Sequence, residues 1–401
     1  MKVFHILYES LPRVSGSSIR SRDILISQKN IGIDVIAITS PFTNSTSQNE
    51  FDVINDIKHY RTSKKTKNSI SDDKRNLFDR FLRLFSIISF FFKISKVIKK
   101  EKPDVLHAHA MFYCGLPAIL LGKIYKIPVV YELRSVWMYN YKTDKKENIF
   151  NKLINSMLLK LELITLKKSN YIVYLNNKLK EHIEELSKNF PASKVIPNAV
   201  NLSLINSIRK KTETDEVVFG YVGTLTHYEG IEFLIETFQE MYDDGIKYKL
   251  LIYGNGVCRD SITQMIDSKE NNIHYNGSFP PDKISSAYSK INVIINPRLN
   301  LDITNNVTPL KPLEAIGYKK IFIGSDVKGI KELISNKSYG FLFKSENKED
   351  LKKVVNEVYN IDDTQKNFIL EESYNYVKSF KDWKANAIKY EKIYTNLIKK
   401  V

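Results

Sequence analysis

The run Val307-Thr-Pro-Leu-Lys-Pro-Leu-Glu-Ala-Ile316 predicts the start of a helix late in this chain of 401 residues. Thr308 is typical of a helix N-cap, and Pro309 at the first helical position loses nothing by lacking an N–H. Lys311 and Glu314 are three residues apart and therefore share one face of the helix. Because a lysine in the first turn opposes the helix macrodipole, its presence there indicates an anion.

A phosphate group is the anion that suits this helix start. Lys311, the free backbone N–H groups and Arg298 of the preceding loop would together neutralise a diphosphate. Glu314 would accept hydrogen bonds from the hydroxyls of a sugar or a ribose. On these residues alone, a solvated lysine and an ordinary surface glutamate explain the pattern equally well.

The composition is that of a globular protein with two or three domains. Hydrophobic residues make up 43% of the chain and charged residues 26%, which excludes a disordered class. The two cysteines are far apart in sequence and form no disulfide or metal framework, as is typical of a reducing compartment. The first residues predict a β-strand instead of a signal peptide, and the longest apolar run, 84–92, is too short to span a bilayer.

The net charge of +16 is concentrated in one segment. Residues 58–100 contain thirteen Lys and Arg against three Asp and Glu. Within them, residues 76–100 predict an aromatic-rich helix with basic flanks, suited to an anionic membrane interface. Two alternatives stay open: a general lysine-rich habit of the chain, and a helix that packs on a sheet.

The N-terminal half opens with a strand, a loop and a helix of the Rossmann type. Gly16 stands alone in this loop, and the missing Gly-x-Gly-x-x-Gly pattern argues against a dinucleotide site. The loop carrying Gly16 and Arg20 would either approach a polar substrate or form a plain strand-to-helix turn.

Polar side chains end two later strands of this half. His107 and His109 alternate onto one face of a strand, and the carboxyl ends of parallel strands are where α/β sites form. A metal pair lacks a visible third ligand, so we interpret His109 as a polar contact to substrate and His107 as a buried structural residue. Glu132 and Arg134 close the next strand with charge, which favours a functional role.

A second α/β series follows a polar segment, and the chain therefore predicts two doubly wound domains that face each other across a cleft. We expect domain boundaries at 1–200 and 217–380, a linker at 201–216, and a final helix within 381–401 that returns toward the first domain.

The motifs follow one another in an order that resembles the GT4 family of GT-B glycosyltransferases. Besides the Gly16 loop, they are Pro103-Asp-Val-Leu-His-Ala-His109, Val195-Ile-Pro-Asn-Ala-Val200, Tyr221-Val-Gly-Thr-Leu225 with Gly230, Tyr253-Gly-Asn-Gly256, and Val307-Thr-Pro-Leu-Lys-Pro-Leu-Glu-Ala315 followed by Ile323-Gly-Ser-Asp-Val-Lys-Gly329. The Thr-Pro-Leu-Lys-Pro-Leu-Glu form is similar to the branch that builds bacterial surface polysaccharides such as capsule and O-antigen.

The resemblance implies a retaining transfer of a hexose or N-acetylhexosamine from a nucleotide diphosphate sugar, without a cofactor or a bound metal. Arg298 and Lys311 would hold the diphosphate, and Glu314 would bind the ribose. His109 would lie over the transferred sugar. The remaining implied site residues are Gly223, Thr224, Gly254, Asn306 and Thr308 for the donor, and Gly16, Arg20, Glu132 and Arg134 for the acceptor.

The chain departs from the family pattern at three positions. Asn306 replaces the first glutamate of the Glu-x7-Glu motif, and Thr224 and Glu229 replace the usual arginine and lysine after the first strand of the second domain. These changes move the phosphate role to Arg298 and Lys311 and leave the sugar unidentified.

We therefore predict a cytoplasmic glycosyltransferase, peripheral on the inner face of the plasma membrane, that uses a UDP-linked sugar and a lipid-linked or glycan acceptor. A GT-B nucleotide-sugar epimerase is an alternative that would not need the basic segment. A non-catalytic basic protein that binds membranes or nucleic acid is another, although no nucleic-acid motif appears.

Overall fold

The structure is a computed structural model that describes residues 1–13, 15–41, 50–62, 77–135, 149–210, 216–278 and 283–400, without the side chains of residues 77–85, 149–152 and 154. Residues 63–76 of the predicted basic segment 58–100 lie outside the described residues. The chain divides into two compact units, Met1–Pro197 with Trp383–Val401 and Asn198–Asp382.

The first unit is built on an eight-stranded sheet. Its strands are β1 (Lys2–Leu7), β2 (Asp34–Thr39), β3 (Phe51–Ile54), β4 (Ile57–Arg61), β5 (Val105–His109), β6 (Val129–Leu133), β7 (Tyr171–Tyr174) and β8 (Ser193–Val195). They lie in the order β3-β4-β2-β1-β5-β6-β7-β8, and all neighbours are parallel except the hairpin β3–β4.

Helices connect these strands as in a doubly wound fold, which confirms the predicted fold class. They are α1 (Gly16–Asn30), α2 (Leu77–Glu101), α3 (Phe112–Tyr125), α4 (Ile149–Lys168), α5 (Asn177–Leu186) and, from the far end of the chain, α15 (Trp383–Ile398). The last of these packs against α1 and belongs to the first unit.

The start of α1 is fixed by a capping box. The Ser15 hydroxyl accepts from the Ser18 N–H at 3.1 Å, and the Ser18 hydroxyl accepts from the Ser15 N–H at 2.8 Å. Two backbone donors that a helix start would leave unpaired are thereby satisfied. One turn later, Arg20 is buried.

The strand ends that carry the candidate residues of the first unit are neighbours in the sheet. Every residue of β5 and β6 is buried, as expected for parallel strands covered on both faces. In their register His109 lies opposite Glu132. The carboxyl ends of β1, β5 and β6 are thus side by side.

The helix α2 has a buried side and an exposed side. Phe90 and Ile94 are fully buried, and the helix packs against α3. Ile88 and Phe92 are exposed, Phe92 to 66%. The buried side therefore packs in the fold, and the other side presents apolar residues at the surface. Among the described helices, none is both long enough and apolar enough to span a bilayer.

The second unit contains a six-stranded, all-parallel sheet. Its strands are β9 (Val218–Val222), β10 (Lys249–Tyr253), β11 (Ile273–Tyr275), β12 (Val293–Asn296), β13 (Ile321–Ser325) and β14 (Phe341–Phe343), in the order β11-β10-β9-β12-β13-β14. Its helices are α6 (Leu202–Ile208), α7 (Ile231–Asp243), α8 (Arg259–Asp267), α9 (Ile284–Tyr288), α10 (Asp302–Asn306), α11 (Lys311–Gly317), α12 (Lys328–Lys331), α13 (Lys348–Tyr359) and α14 (Asp363–Phe380).

Hydrophobic cores lie on both faces of this sheet. Alternate residues of β9 point to opposite sides, so that Phe219 and Tyr221 join one cluster and Val218 and Val222 join the other. Helices α7 and α13 contribute to the first cluster, and helices α6, α11 and α14 contribute to the second.

The segment that was predicted as a linker, 201–216, contains α6. Leu202 and Ile205, three residues apart on one helix face, are buried in the core of the second unit. This helix is therefore an integral part of the second unit, and residues 211–215 lie outside the described residues.

Candidate functional site

The helix that carries Lys311 begins later than the sequence predicts. Leu310 is the N-cap residue of α11 and Pro312 lies in its first turn, so the prediction of Thr308 as N-cap and Pro309 as first helical residue is wrong. Thr308 is buried, and its hydroxyl donates to Glu332 Oε2 at 2.9 Å. Its side chain thus ties the loop before the helix to Glu332.

The two predicted phosphate ligands meet on a single carboxylate. Glu229 Oε1 accepts from Arg298 Nη2 at 3.1 Å, and Glu229 Oε2 lies 2.8 Å from Lys311 Nζ. Asn296 Nδ2 also donates to Glu229 Oε2, at 2.9 Å. From the sequence, Glu229 was noted only as a replacement for the family's usual lysine. Its contact with both Arg298 and Lys311 was missed.

Two members of the cation cluster (Glu229, Arg298 and Lys311), Glu229 and Arg298, stay ionised despite their burial. Burial raises the pKa of Glu229, but Arg298 and Lys311 outweigh it and lower that pKa to about 2. For Arg298, burial lowers the pKa, but the neighbouring Glu229 carboxylate outweighs burial and the pKa is raised. Two cations against one carboxylate leave the cluster with one net positive charge.

Lys311 is the more exposed of the two cations. Its side chain is 16% exposed, against 7% for Arg298. Arg298 is held from two sides, because its Nη1 donates to the Val307 carbonyl at 3.1 Å while its Nη2 donates to Glu229. Arg298 is therefore the inner cation of the cluster and Lys311 the outer one.

A glycine at the end of β9 makes room for the lysine. A Cβ atom added at Gly223 would lie 2.1 Å from Lys311 Cε, and one added at Gly254 would lie 1.9 Å from the Gly223 carbonyl oxygen. The lysine ammonium sits 5.1 Å from the centre of the Tyr221 ring, in range for a cation–π contact. The structure therefore places Gly223 beside the cation cluster and Gly254 against Gly223.

Three other predicted donor residues of this unit are at least partly exposed. Glu314 is half-buried one turn beyond Lys311, and its charge raises the pKa of that lysine, although burial dominates and lowers it. Asn306 ends α10 and is half-buried. Thr224 is exposed, and its carbonyl accepts from the Tyr221 hydroxyl at 2.8 Å.

The first unit contains a buried relay of hydrogen bonds through its histidines. Arg134 Nη2 lies 2.6 Å from His109 Nδ1, and His109 Nε2 lies 2.8 Å from His5 Nδ1. A guanidinium only donates, so we assign His109 Nδ1 as an acceptor and its Nε2 as a donor to His5. His5 Nε2 then donates to Gln28 Oε1 at 3.0 Å.

The relay continues through the final helix of the chain. Gln28 Nε2 donates to the Tyr394 hydroxyl at 2.9 Å, and that hydroxyl donates to His107 Nδ1 at 2.7 Å. His107 Nε2 then faces Glu132 Oε2 at 3.6 Å. One direction of donation along the relay therefore fixes the tautomer of all three histidines.

Glu132 is the charged centre of this network. Its carboxylate accepts from Arg20 Nε at 3.0 Å, from Arg134 Nε at 2.8 Å and from the Tyr390 hydroxyl at 2.5 Å. Burial raises the pKa of Glu132, but the two arginines outweigh it and hold the pKa well below its usual range.

The three histidines do not fit a metal ion. Their ring nitrogens lie within 4.8 Å of one another, so His5 supplies a third histidine beside the pair that the sequence revealed. However, the Nδ1 lone pairs accept hydrogen bonds along the relay, and two guanidiniums beside Glu132 disfavour a further cation. Burial lowers the pKa of His109 to about 3, which keeps it neutral and engaged in the relay.

The predicted acceptor residues come together, but most of them are buried. Besides its bonds to Glu132 and His109, Arg134 donates through Nη1 to the Ser17 carbonyl and to two serine hydroxyls. His109 and Arg20 are likewise buried and bonded. Gly16 is exposed at the start of α1, with open space where a side chain would be.

Comparisons with known proteins follow the same division of the chain. Residues 14–204 match the family described as Glycosyltransferase Family 4, and residues 205–372 match Glycosyl transferases group 1. CapH of Staphylococcus aureus, a capsular polysaccharide biosynthesis glycosyltransferase, is 30% identical over 38% of this chain and 40% of its own length. An uncharacterized glycosyltransferase of Methanocaldococcus jannaschii is likewise matched over 50% of its own length.

Two solved structures share the fold along the whole chain. Sucrose-phosphate synthase from Thermosynechococcus elongatus has a TM-score of 0.80 at 15% identity, with 100% of each chain covered. Anabaena HepE, in complex with UDP and glucose, has a TM-score of 0.70 at 14% identity, with 98% of this chain and 99% of that chain covered. The two family models together span most of the sequence, and the chain belongs to the GT4-like glycosyltransferases of the GT-B fold.

Proposed function

We propose that the protein transfers a hexose or N-acetylhexosamine from a UDP-linked sugar to a lipid-linked or glycan acceptor, with retention of the anomeric configuration. The observation that carries this proposal is the cation cluster, in which Lys311 is partly exposed and shares the Glu229 carboxylate with Arg298. The cluster follows the carboxyl ends of the neighbouring strands β9 and β12, where parallel α/β sheets bind ligands. The UDP bound by HepE supports uracil as the base.

The cluster suits the charge that develops in the reaction. As the bond between the anomeric carbon and the diphosphate oxygen breaks, negative charge grows on the diphosphate, and Lys311 stabilises it. In the retaining route that we propose, the acceptor hydroxyl attacks the same face and its proton passes to a departing phosphate oxygen. Glu314 would accept hydrogen bonds from the ribose hydroxyls.

We assign acceptor binding to the first unit. Gly16 lies in open space at the start of α1 and would border the acceptor. The buried residues Arg20, Glu132, Arg134 and His109 would act by holding that helix start and the ends of β5 and β6 in place. The likeness to CapH supports a surface polysaccharide as the product.

We further propose that the first unit docks on the inner face of the plasma membrane. Helix α3 packs against both α2 and α4, and each of the three carries exposed apolar side chains. These are Ile88 and Phe92, Leu120 and Ile124, and Leu153, Met157 and Ile164. Exposed lysines on the same helices, Lys96, Lys99, Lys123, Lys160 and Lys167, would favour anionic lipid headgroups.

Nucleotide binding tests the proposed donor site. In a thermal-shift panel of UDP, GDP, ADP and their sugar conjugates, UDP compounds should stabilise the protein by about 2.7 kcal/mol at roughly 100 times the dissociation constant. Lys311→Ala should abolish the shift, and both Lys311→Ala and Arg298→Ala should lower turnover by about two orders of magnitude. Lys337→Ala, on an exposed lysine of the same unit, is the control. A UDP-induced thermal shift in Lys311→Ala as large as that of the wild type would contradict the proposed phosphate contact.

The space beside Gly223 provides a second test. Gly223→Ala places a methyl group where Lys311 Cε now lies, so the lysine must move while the strand is kept. We expect UDP binding, measured by titration calorimetry, to weaken by about tenfold or more. Gly16→Ala, whose added carbon meets open space, should bind UDP as the wild type does. Equal affinity in Gly223→Ala would show that Lys311 does not contact the phosphates.

Vesicle binding tests the membrane surface. A variant with serine at Ile88, Phe92 and Ile124 should bind phosphatidylglycerol vesicles at least about tenfold more weakly in a cosedimentation assay. Each of these exposed side chains would lose the apolar area that it buries in the lipid. Its UDP-induced thermal shift should remain. Phe368→Ser, at an exposed residue of the second unit, should bind vesicles as the wild type does. Unchanged binding by the triple variant would exclude this surface.

A further inference from the structure

The position of Glu229 in the chain places a carboxylate under the predicted phosphate site. It is the last residue of a 3-10 turn, His227–Glu229, and the following Gly230 has a φ of +73°. A Cβ atom at Gly230 would lie 2.1 Å from the Pro297 carbonyl oxygen, so a glycine there lets the turn approach the loop of Arg298 closely. The backbone thereby delivers Glu229 to the two cations.

The oxygens of the Glu229 carboxylate are engaged by three neighbouring donors. It is 3% exposed and accepts from Asn296, Arg298 and Lys311 at 2.9, 3.1 and 2.8 Å. A carboxylate with three short contacts to fixed donors has little freedom to turn toward a ligand. Glu229 therefore acts on a ligand through the groups that it holds.

Lys311 keeps donors available while it is held. An ammonium has three N–H groups, and the described ion pair with Glu229 uses one side of it. The side chain is partly exposed, so an anion can approach it. Glu229 thus fixes the direction in which the remaining N–H groups point.

Glu229 also favours the protonated form of Lys311. The groups that face the ammonium are Glu229, Arg298, Glu314 and the Tyr221 ring. Burial and Arg298 lower the pKa of Lys311, whereas Glu229 and Glu314 raise it. Without Glu229, burial and the neighbouring guanidinium would favour the neutral amine, which cannot stabilise a phosphate charge.

We infer that Glu229 is a positioning residue of the donor site, which aims Lys311 at the diphosphate through an ion pair that it shares with Arg298. This inference rests on the proposed function, because it assigns a role within the same phosphate site. It also explains a departure from the family pattern: where a lysine usually binds phosphate directly, this chain has an anion that organises two cations supplied by other segments.

Titration calorimetry with UDP and with inorganic pyrophosphate tests the inference, on the full chain between about pH 7.5 and about pH 9.5. Glu229→Gln keeps the side-chain shape but removes the charge. It should bind both probes about tenfold more weakly at the lower pH. Its affinity should fall further toward the higher pH, where the wild type still binds, because Lys311 then loses its proton at a lower pH. A merely structural defect would weaken binding equally at every pH.

Two further variants complete the experiment. Glu229→Asp retains the charge, so it should keep the wild-type pH profile while binding a few-fold more weakly because the carboxylate is withdrawn. Glu232→Gln removes a carboxylate from the start of α7, where the described contact is with Ser261, and should behave as the wild type does.

The outcomes separate the two claims. Absence of binding by the wild type would remove the proposed function together with this inference. Binding by the wild type with the same affinity and pH profile in Glu229→Gln would overturn the inference alone. If Glu229→Gln does not fold, unchanged affinity in Glu229→Asp would overturn it in the same way.

Discussion

Each unit of this protein depends on one buried carboxylate that is shared by two cations. Glu132 holds Arg20 and Arg134 in the first unit, and Glu229 holds Arg298 and Lys311 in the second. A buried carboxylate without such partners would carry a large desolvation cost, so removing one partner is expected to disturb the others. The polar residues at the strand ends therefore form coupled groups.

The two groups differ in what they leave accessible. In the second unit Lys311 is partly exposed, so the group combines a rigid interior with one reachable cation. In the first unit the arginines and histidines use their polar atoms on one another, and the hydroxyls of Tyr390 and Tyr394 bind the final helix into the network. We interpret the first group as a support for the chain around Gly16 and the second as the place where substrate charge is met.

The sequence predicted the α/β fold and the helix carrying Lys311 because alternating apolar strands and helix signals are local patterns. It misplaced the start of that helix, because Thr308 satisfies the N-cap rule but is bonded to Glu332, which follows 24 residues later. Glu229 and His5 were missed for a related reason. Glu229 contacts Arg298 at 69 positions' distance and His5 contacts His109 at 104, and spacing along the chain does not show such contacts.

A crystal structure with bound UDP would show directly whether the cation cluster is the diphosphate site. We expect a phosphate oxygen about 2.8 Å from Lys311 Nζ, with Glu229 still bonded to Arg298. UDP bound elsewhere on the chain, with Lys311 and Arg298 both away from its phosphates, would mean that the cluster is not the diphosphate site.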